Sequence, residues 1–358
     1  MGKCHQVRII EMRFYVLLIL AFLAAPVCRA EIARHDYQVA GEAGVSLFVR
    51  EIRRTDAKDG KPILLIHGAR VPGVASFDLD VPNGSLAADL AQGGLVVYVM
   101  DIRGYGSSTR PPEMSQPPET HAPLVRSETV VRDIASVVEW IRKRSRQPKV
   151  ALLGWATGGN WAGYYTALYS DRVSELVLLN ALYGGSDQHA MLGHGTDMED
   201  PDHPGRLNPA IGAYRLNTEA SLFGAWDGSI PEQDKTAWRD PRVAKAYAKA
   251  ALDSDPTSAT RTPASFRSPN GALEDSFYQA TGRKLWDASF IRVPTLIVAG
   301  ERDFWSRPAD RELLRTELVH SPKVRVVMIP RATHFVHLDR PEHGRKVLIE
   351  EIGSFVRV

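Results

Sequence analysis

Cysteine is all but absent from this chain: two occur in 358 residues, Cys4 and Cys28, both within the first thirty. With none further along, no disulfide framework can staple the fold, and stability has to come from a buried core. An excess of charge is lacking too. Lys and Arg number 44 against 42 Asp and Glu, a formal net charge of +2, and no basic stripe runs through the sequence, so nothing supports a nucleic-acid partner. Also missing is an apolar run of the roughly 20 residues that a membrane-spanning helix needs. The run Phe14–Ala25 has 12. Internal repeats and low-complexity segments are absent beyond the leader region. At 44% hydrophobic and 24% charged, the composition is that of a globular chain, neither fibrous nor disordered.

Lys3, Arg8 and Arg13 come before or at the start of that short apolar run, and Cys28-Arg29-Ala30 offers small residues at the two positions a signal peptidase inspects. A basic start, a short apolar stretch and a small-x-small site predict a secretory signal peptide over residues 1–30, and with it a secreted or periplasmic location. An uncleaved membrane anchor is the competing reading. Loss of this leader removes Lys3, Arg8, Arg13 and Arg29 with Glu11, so the net charge falls to −1, and both cysteines leave with it. The 328 residues that remain are enough to build a large core, with no stable membrane insertion.

Beyond the leader, short aliphatic runs alternate with helical patterns. Strands are expected at Ser46–Arg53, Pro62–His67, Leu95–Asp101, Val150–Trp155, Glu175–Asn180, Thr295–Ala299 and Val324–Ile329. Most are continuous apolar runs, the mark of strands buried on both faces of a parallel sheet. An amphipathic helix carries Val130, Val131, Ile134, Val137, Val138 and Ile141 on one face. Another starts at Gly158, and a last one opens near Pro341 and runs through Leu348, Ile352 and Phe355. This alternation predicts an α/β fold, a mostly parallel sheet sandwiched by helices. It breaks between residues 184 and 288, a stretch rich in Asp, Pro, Gly and Ser, without apolar strand-like runs but with helical patches at Val243–Leu252 and Leu273–Trp286. The chain therefore divides into a first core part at 31–183, a helical lid insertion at 184–288 and a second core part at 289–358. The lid is expected over the C-terminal strand edge, where open α/β sheets bind ligands.

Several motifs stand at strand ends, in a definite order. Leu64-Leu65-Ile66-His67-Gly68-Ala69 closes an early strand, and Asp101-Ile102-Arg103-Gly104-Tyr105-Gly106 follows the next. Gly154-Trp155-Ala156-Thr157-Gly158-Gly159 joins a strand to a helix, and Gly300-Glu301-Arg302-Asp303 and Ala332-Thr333-His334 end the last two strands. Together these resemble the α/β-hydrolase fold family over essentially the whole chain past the leader. The family's nucleophile elbow has the form G-x-S-x-G, and here every feature is present except the nucleophile, because Ala156 stands in the middle. The resemblance implies that His334 transfers protons, that Asp303 orients it, and that the N–H groups of Ala69 and Thr157 form an oxyanion hole. It further implies hydrolysis of a small-molecule acyl substrate, an ester or a lactone, with no metal or organic cofactor.

A methyl group cannot attack a carbonyl. Three accounts stay open: alanine put in place of a native serine, a naturally serine-free site in which His334 activates water or the pocket has another chemistry or none, and Thr157 as a displaced nucleophile. Against the last, the Thr157 amide is wanted for the oxyanion hole. A catalytically silent small-molecule binder on the same fold is the alternative function; the missing hydroxyl favours it, and the retained Asp303–His334 pair speaks for the enzyme.

Other groups have plainer explanations. His334 and His337 form His-x-x-His but lack the H-E-x-x-H pattern and its base, so metal is not expected there. His189, His194 and His203 with Asp197, Glu199, Asp200 and Asp202 match no metal spacing and read as a solvated polar loop. Trp226 and Trp305 are the candidate pocket-lining aromatics, with Trp238, Trp286, Tyr214 and Phe223 either lining it too or packing the lid onto the core. Asp101 and Arg103 are expected to fix a turn, and His67 to shape the oxyanion loop. The sequence is silent on oligomeric state and on which acyl group is cleaved.

Overall fold

The computed structural model describes residues 30–57 and 59–356, so the expected leader lies, but for Ala30, outside the described residues. In chain order the elements are β1 (Ile32–Ala40), β2 (Ser46–Arg54), β3 (Pro62–Ile66), α1 (Gly73–Phe77), α2 (Leu86–Gln92), β4 (Val96–Met100), α3 (Ser127–Ser145), β5 (Val150–Trp155), α4 (Thr157–Leu168) and β6 (Val173–Leu179). There follow β7 (Tyr214–Thr218), α5 (Glu219–Ser229), α6 (Pro241–Asp253), β8 (Ser265–Pro269), α7 (Gly271–Ala280), β9 (Thr295–Arg302), α8 (Pro308–Glu317), β10 (Val324–Thr333) and α9 (Arg345–Val356).

Eight strands form one sheet in the order β1-β2-β4-β3-β5-β6-β9-β10. Pairing is parallel from β4 through to β10, while β2 runs antiparallel to both β1 and β4. The central strands β3, β4 and β5 are buried at every residue, which explains their unbroken apolar runs. Side chains alternate between two cores. Ile63, Leu65, Ala151 and Leu153 face a cluster completed by Phe77, Leu86, Leu348 and Ile352, whereas Leu64, Ile66 and Leu152 face one built with Val130, Ile134, Val137 and Trp161. The sheet thus carries α1, α2 and α9 on one side and α3 and α4 on the other.

Between β6 and β9, residues 184–288 hold α5, α6, α7 and a two-stranded antiparallel pair, β7 with β8. An all-helical composition for this insertion is thereby corrected: β7 and β8 are short and polar, and their pairing is held by register rather than by an apolar pattern. The edge strand β1 escapes the sequence pattern because most of it is exposed. The final helix starts at Arg345 after a single 3₁₀ turn at Pro341–His343, later than the proline suggests.

The closest backbone approach in the sheet lies where β5 turns into α4. A side chain on Gly154 would place its Cβ 2.1 Å from the carbonyl oxygen of Gly158, and one on Gly158 would stand 2.2 Å from the oxygen of Ile66 and 2.5 Å from that of His67. Backbone atoms cannot yield as a flexible side chain would. Gly158→Ala is therefore expected to destabilise the fold by about 3 kcal/mol or more. Gly224→Ala, at an exposed position of helix α5 with nothing within 4 Å of the new methyl, should stabilise it by up to about 1 kcal/mol. Chemical denaturation of the two variants beside the parent chain checks both signs.

Candidate active site

Ala156 sits between β5 and α4 with φ 54° and ψ −121°, a conformation that non-glycine residues avoid and that costs on the order of 1–3 kcal/mol. Its N–H donates to the Leu179 carbonyl oxygen at 2.9 Å, which ties the turn to β6. The outcome is a methyl group on the wall of a cavity of about 120 Å³ that His334, Ala69 and Thr157 also line.

Asp303 and His334 meet beside it. The His334 Nδ1 and Asp303 Oδ1 atoms are 2.6 Å apart, with the Asp303 side chain fully buried and that of His334 nearly so. Asp303 also accepts from the N–H groups of Trp305 (3.0 Å) and Ser306 (2.9 Å) and from the Ser306 hydroxyl. A carboxylate so saturated with donors is fixed in place, and as an acceptor it favours the tautomer of His334 that carries its hydrogen on Nδ1, which turns Nε2 into the acceptor. The backbone of His334 is fastened as well: its carbonyl oxygen accepts from Trp155 Nε1 and from Asn180 Nδ2, each at 3.0 Å.

Asn180 was not singled out by any motif. It follows β6 with φ 51°, is buried, and its Oδ1 accepts from the Gly300 N–H at 3.0 Å. One amide thus bridges the strand that carries Asp303 and the loop that carries His334. Its only trace in the sequence is an asparagine just past an apolar run, too common a pattern to mark a site.

Beside Ala156, the Gly68–Ala69 peptide is oriented by His67. The His67 ring is wholly buried, its Nδ1 lies 2.7 Å from the Gly68 carbonyl oxygen, and its Nε2 accepts from the Ile102 N–H at 3.2 Å. In a trans peptide the carbonyl and the following N–H point oppositely, so anchoring the Gly68 oxygen turns the Ala69 N–H away from His67. Neither the Ala69 nor the Thr157 N–H donates to an atom of the described residues, and both residues border the cavity. Asp101 accepts from the N–H groups of Gly73 (2.8 Å) and Ser107 (3.0 Å) and so fixes the turn after β4, while Arg103 bonds Asp133 on α3.

A strand-end carboxylate–imidazole pair, a strained strand-to-helix turn and two unengaged amide N–H groups converge on one cavity in a mostly parallel sheet, and a family model described as alpha/beta hydrolase fold matches residues 61–341. The chain belongs to the α/β-hydrolase fold family.

Within the family, the chain is 28% identical over 127 residues to lipase member M of Homo sapiens, which is 34% of this chain and 30% of that protein. It is 30% identical over 128 residues to a poly(3-hydroxyalkanoate) polymerase subunit of Haloferax mediterranei, covering 36% of this chain and 23% of that one. The match spans less than a third of the length of these curated relatives. Among solved structures, an esterase from Exiguobacterium antarcticum superposes with a TM-score of 0.56 at 17% identity, covering 90% of this chain and all of that one. An E-2-(acetamidomethylene)succinate hydrolase gives 0.56 at 20% identity over 91% of this chain. At such identities the likeness speaks for the fold.

The remaining expected residues fall as follows. Trp305 lines the cavity. Trp226 does not, and its place on the pocket wall is corrected: it is fully buried behind Phe335, stacked on that ring at 4.7 Å with Nε1 donating to Asp339 Oδ1. An indole needs a partner for its N–H when buried, and Asp339 supplies one on the core side. Trp238 and Trp286 are likewise buried outside the cavity, the first stacked on His343 and the second tilted against Tyr183. The apolar wall is made instead by residues no motif marks, among them Leu222, Ala225, Tyr247, Phe304 and Phe335. The Thr157 hydroxyl lies 3.5 Å from Ser276 Oγ on α7. His337 is buried against Trp155 and Phe77, and burial holds its pKa well below the usual imidazole value. In the 187–206 loop, Glu199 accepts from His194 and from the N–H groups of Gly195 and Gly205, which closes the loop upon itself.

Burial pushes the His67 pKa down to about 4, against an ordinary value of 6.5. The unfolded chain takes up a proton at His67 below about pH 6.5, and the folded chain only near 4. This group therefore withdraws stability as pH falls through that window, on the order of 3 kcal/mol in all. His67→Gln should be the less stable chain at pH 7, with the gap to the parent shrinking steadily towards pH 4. Urea titrations across that range measure it, and a gap independent of pH would exclude the buried neutral imidazole.

Proposed function

We propose that this protein is an exported hydrolase of small acyl substrates, esters or lactones, in which water takes the attacking role at an elbow that carries Ala156. The observation that bears the proposal is the Asp303–His334 pair, 2.6 Å apart and presenting its imidazole to the same cavity as the Ala156 methyl group. In the reaction, His334 Nε2 removes a proton from water above that methyl group, and the water oxygen attacks the substrate carbonyl carbon. The N–H groups of Ala69 and Thr157 hold the resulting oxyanion. Collapse of the tetrahedral species breaks the acyl–oxygen bond, and His334 returns its proton to the leaving alkoxide. The basic leader expected over residues 1–30 supports export, and the names of lipase member M and of the Exiguobacterium esterase support acyl chemistry.

Lacking a serine costs such sites on the order of 10⁶ in turnover, while the oxyanion hole and binding alone keep about 10³–10⁴ over water. Slow hydrolysis is thus expected of this chain, abolished by His334→Ala, and Ala156→Ser should raise kcat by at least about 10³-fold. Steady-state assays on short acyl esters and on lactones decide the matter. Turnover in neither the parent nor the Ala156→Ser variant would leave a silent binding protein, the role that the missing hydroxyl favours.

A further inference from the structure

Arginines that are buried or half-buried in this fold commonly face a carboxylate: Arg267 pairs with Asp255, Arg103 with Asp133 and Arg307 with Asp310. Arg215, on β7, does not. Its guanidinium donates to neutral acceptors only, the Ala69 carbonyl oxygen at 2.7 Å, Asn270 Oδ1 at 3.0 Å and the Pro269 oxygen at 3.5 Å. Its Nε is buried without a partner among the described residues. Arg215 borders the cavity of Ala156 and His334, and so does Arg70, whose guanidinium bonds the Ser221 carbonyl oxygen and, among the described residues, meets no carboxylate. Among the described residues, no acidic side chain lines this cavity.

A cation set into a largely apolar wall is costly, and Arg215 is the one so placed, Arg70 being exposed at the rim. Burial brings the Arg215 pKa down to about 10, and the charge of Arg70 pushes the same way, which still leaves Arg215 charged at neutral pH. Bracing the Ala69 carbonyl does not require a charge, and the Tyr105 hydroxyl already donates to it at 2.8 Å. A neutral amide or hydroxyl would serve there without the cost of desolvating a cation. What the positive pair does supply is a field of one sign focused on a small cavity and planar donors suited to a carboxylate.

We infer that the ligand of this cavity carries a carboxylate, held by Arg215 and Arg70 beside the Ala69 amide, so that the substrate is a half-ester or a lactone acid and not a neutral ester. This rests on the hydrolase proposal for the identity of the scissile group, but the anion site is measurable without turnover. Calorimetric titration of the unaltered chain with monoethyl glutarate and with diethyl glutarate compares an anionic and a neutral probe of nearly the same shape. The half-ester is expected to bind at least about ten-fold more tightly, with the advantage shrinking as ionic strength rises. Arg70→Gln, an exposed change that leaves the fold intact, should cut the advantage severalfold while leaving diethyl glutarate binding as it was. Arg215→Gln should abolish it, and Arg215→Lys should keep part of it. Equal binding of the two probes, binding of neither, or a preference for the half-ester that survives both glutamine variants would overturn the inference. An anion preference in a chain whose Ala156→Ser variant hydrolyses nothing would instead remove the hydrolase proposal and leave the anion site standing.

Discussion

Where β5 gives way to α4, the first turn of the helix lies so close to the end of β3 that Gly158 has no room for a Cβ, and so close to β5 that Gly154 has none. That contact sets the geometry of everything beside it. With both neighbours pinned, the residue between them must take a positive φ, and its side chain is lifted onto the cavity wall. The same approach brings the carbonyl oxygens of Ile66 and His67 against the helix start. The loop at Gly68 and Ala69 therefore begins from a position that α4 dictates, and the two amides proposed to hold the oxyanion share one rigid junction.

The rest of the site is attached to this junction by hydrogen bonds of side chains that do no chemistry themselves. His67 turns the Gly68–Ala69 peptide, Asn180 links Gly300 to His334, and Trp155 reaches the same His334 oxygen. Each of these groups is buried, so each bond is made in a medium where an unpaired partner would cost about 1–3 kcal/mol. Such bonds fix geometry more strongly than surface contacts of equal length. The insertion adds the other wall: Leu222, Ala225 and Tyr247 close the cavity, and Arg215 reaches from β7 to the Ala69 oxygen.

The legible parts of the sequence were those where one residue type is forced. Buried parallel strands must be apolar throughout, so β3, β4 and β5 stand out as runs; a tight crossing must have glycine, so the elbow stands out around Ala156; and Asp303 and His334 are polar residues placed just past such runs. Where many residues would serve, the sequence gives no signal. The exposed strand β1 and the β7–β8 pair need only compatible backbones, and Asn180 is recognisable only once β9 and the His334 loop are brought beside it. The cavity wall followed no pattern because its members come from separate elements, and the tryptophan expected there, Trp226, found a partner for its indole N–H in Asp339 on the core side.

These two kinds of residue do not bear equally on whether the site works. The strained conformation at Ala156 would persist in a chain that had lost all chemistry, because the packing of α4 on β3 imposes it whatever the side chain. A buried carboxylate aligned with an imidazole is different: packing does not call for it, and apolar side chains of similar volume would fill the same space at no loss of stability, and often with a gain. Four donors, from His334, Trp305 and Ser306, are gathered on the one carboxyl group of Asp303. Their effect is to set the imidazole of His334 against a cavity that two arginines and two unengaged amides also border, so that the donors there are complementary to negative charge.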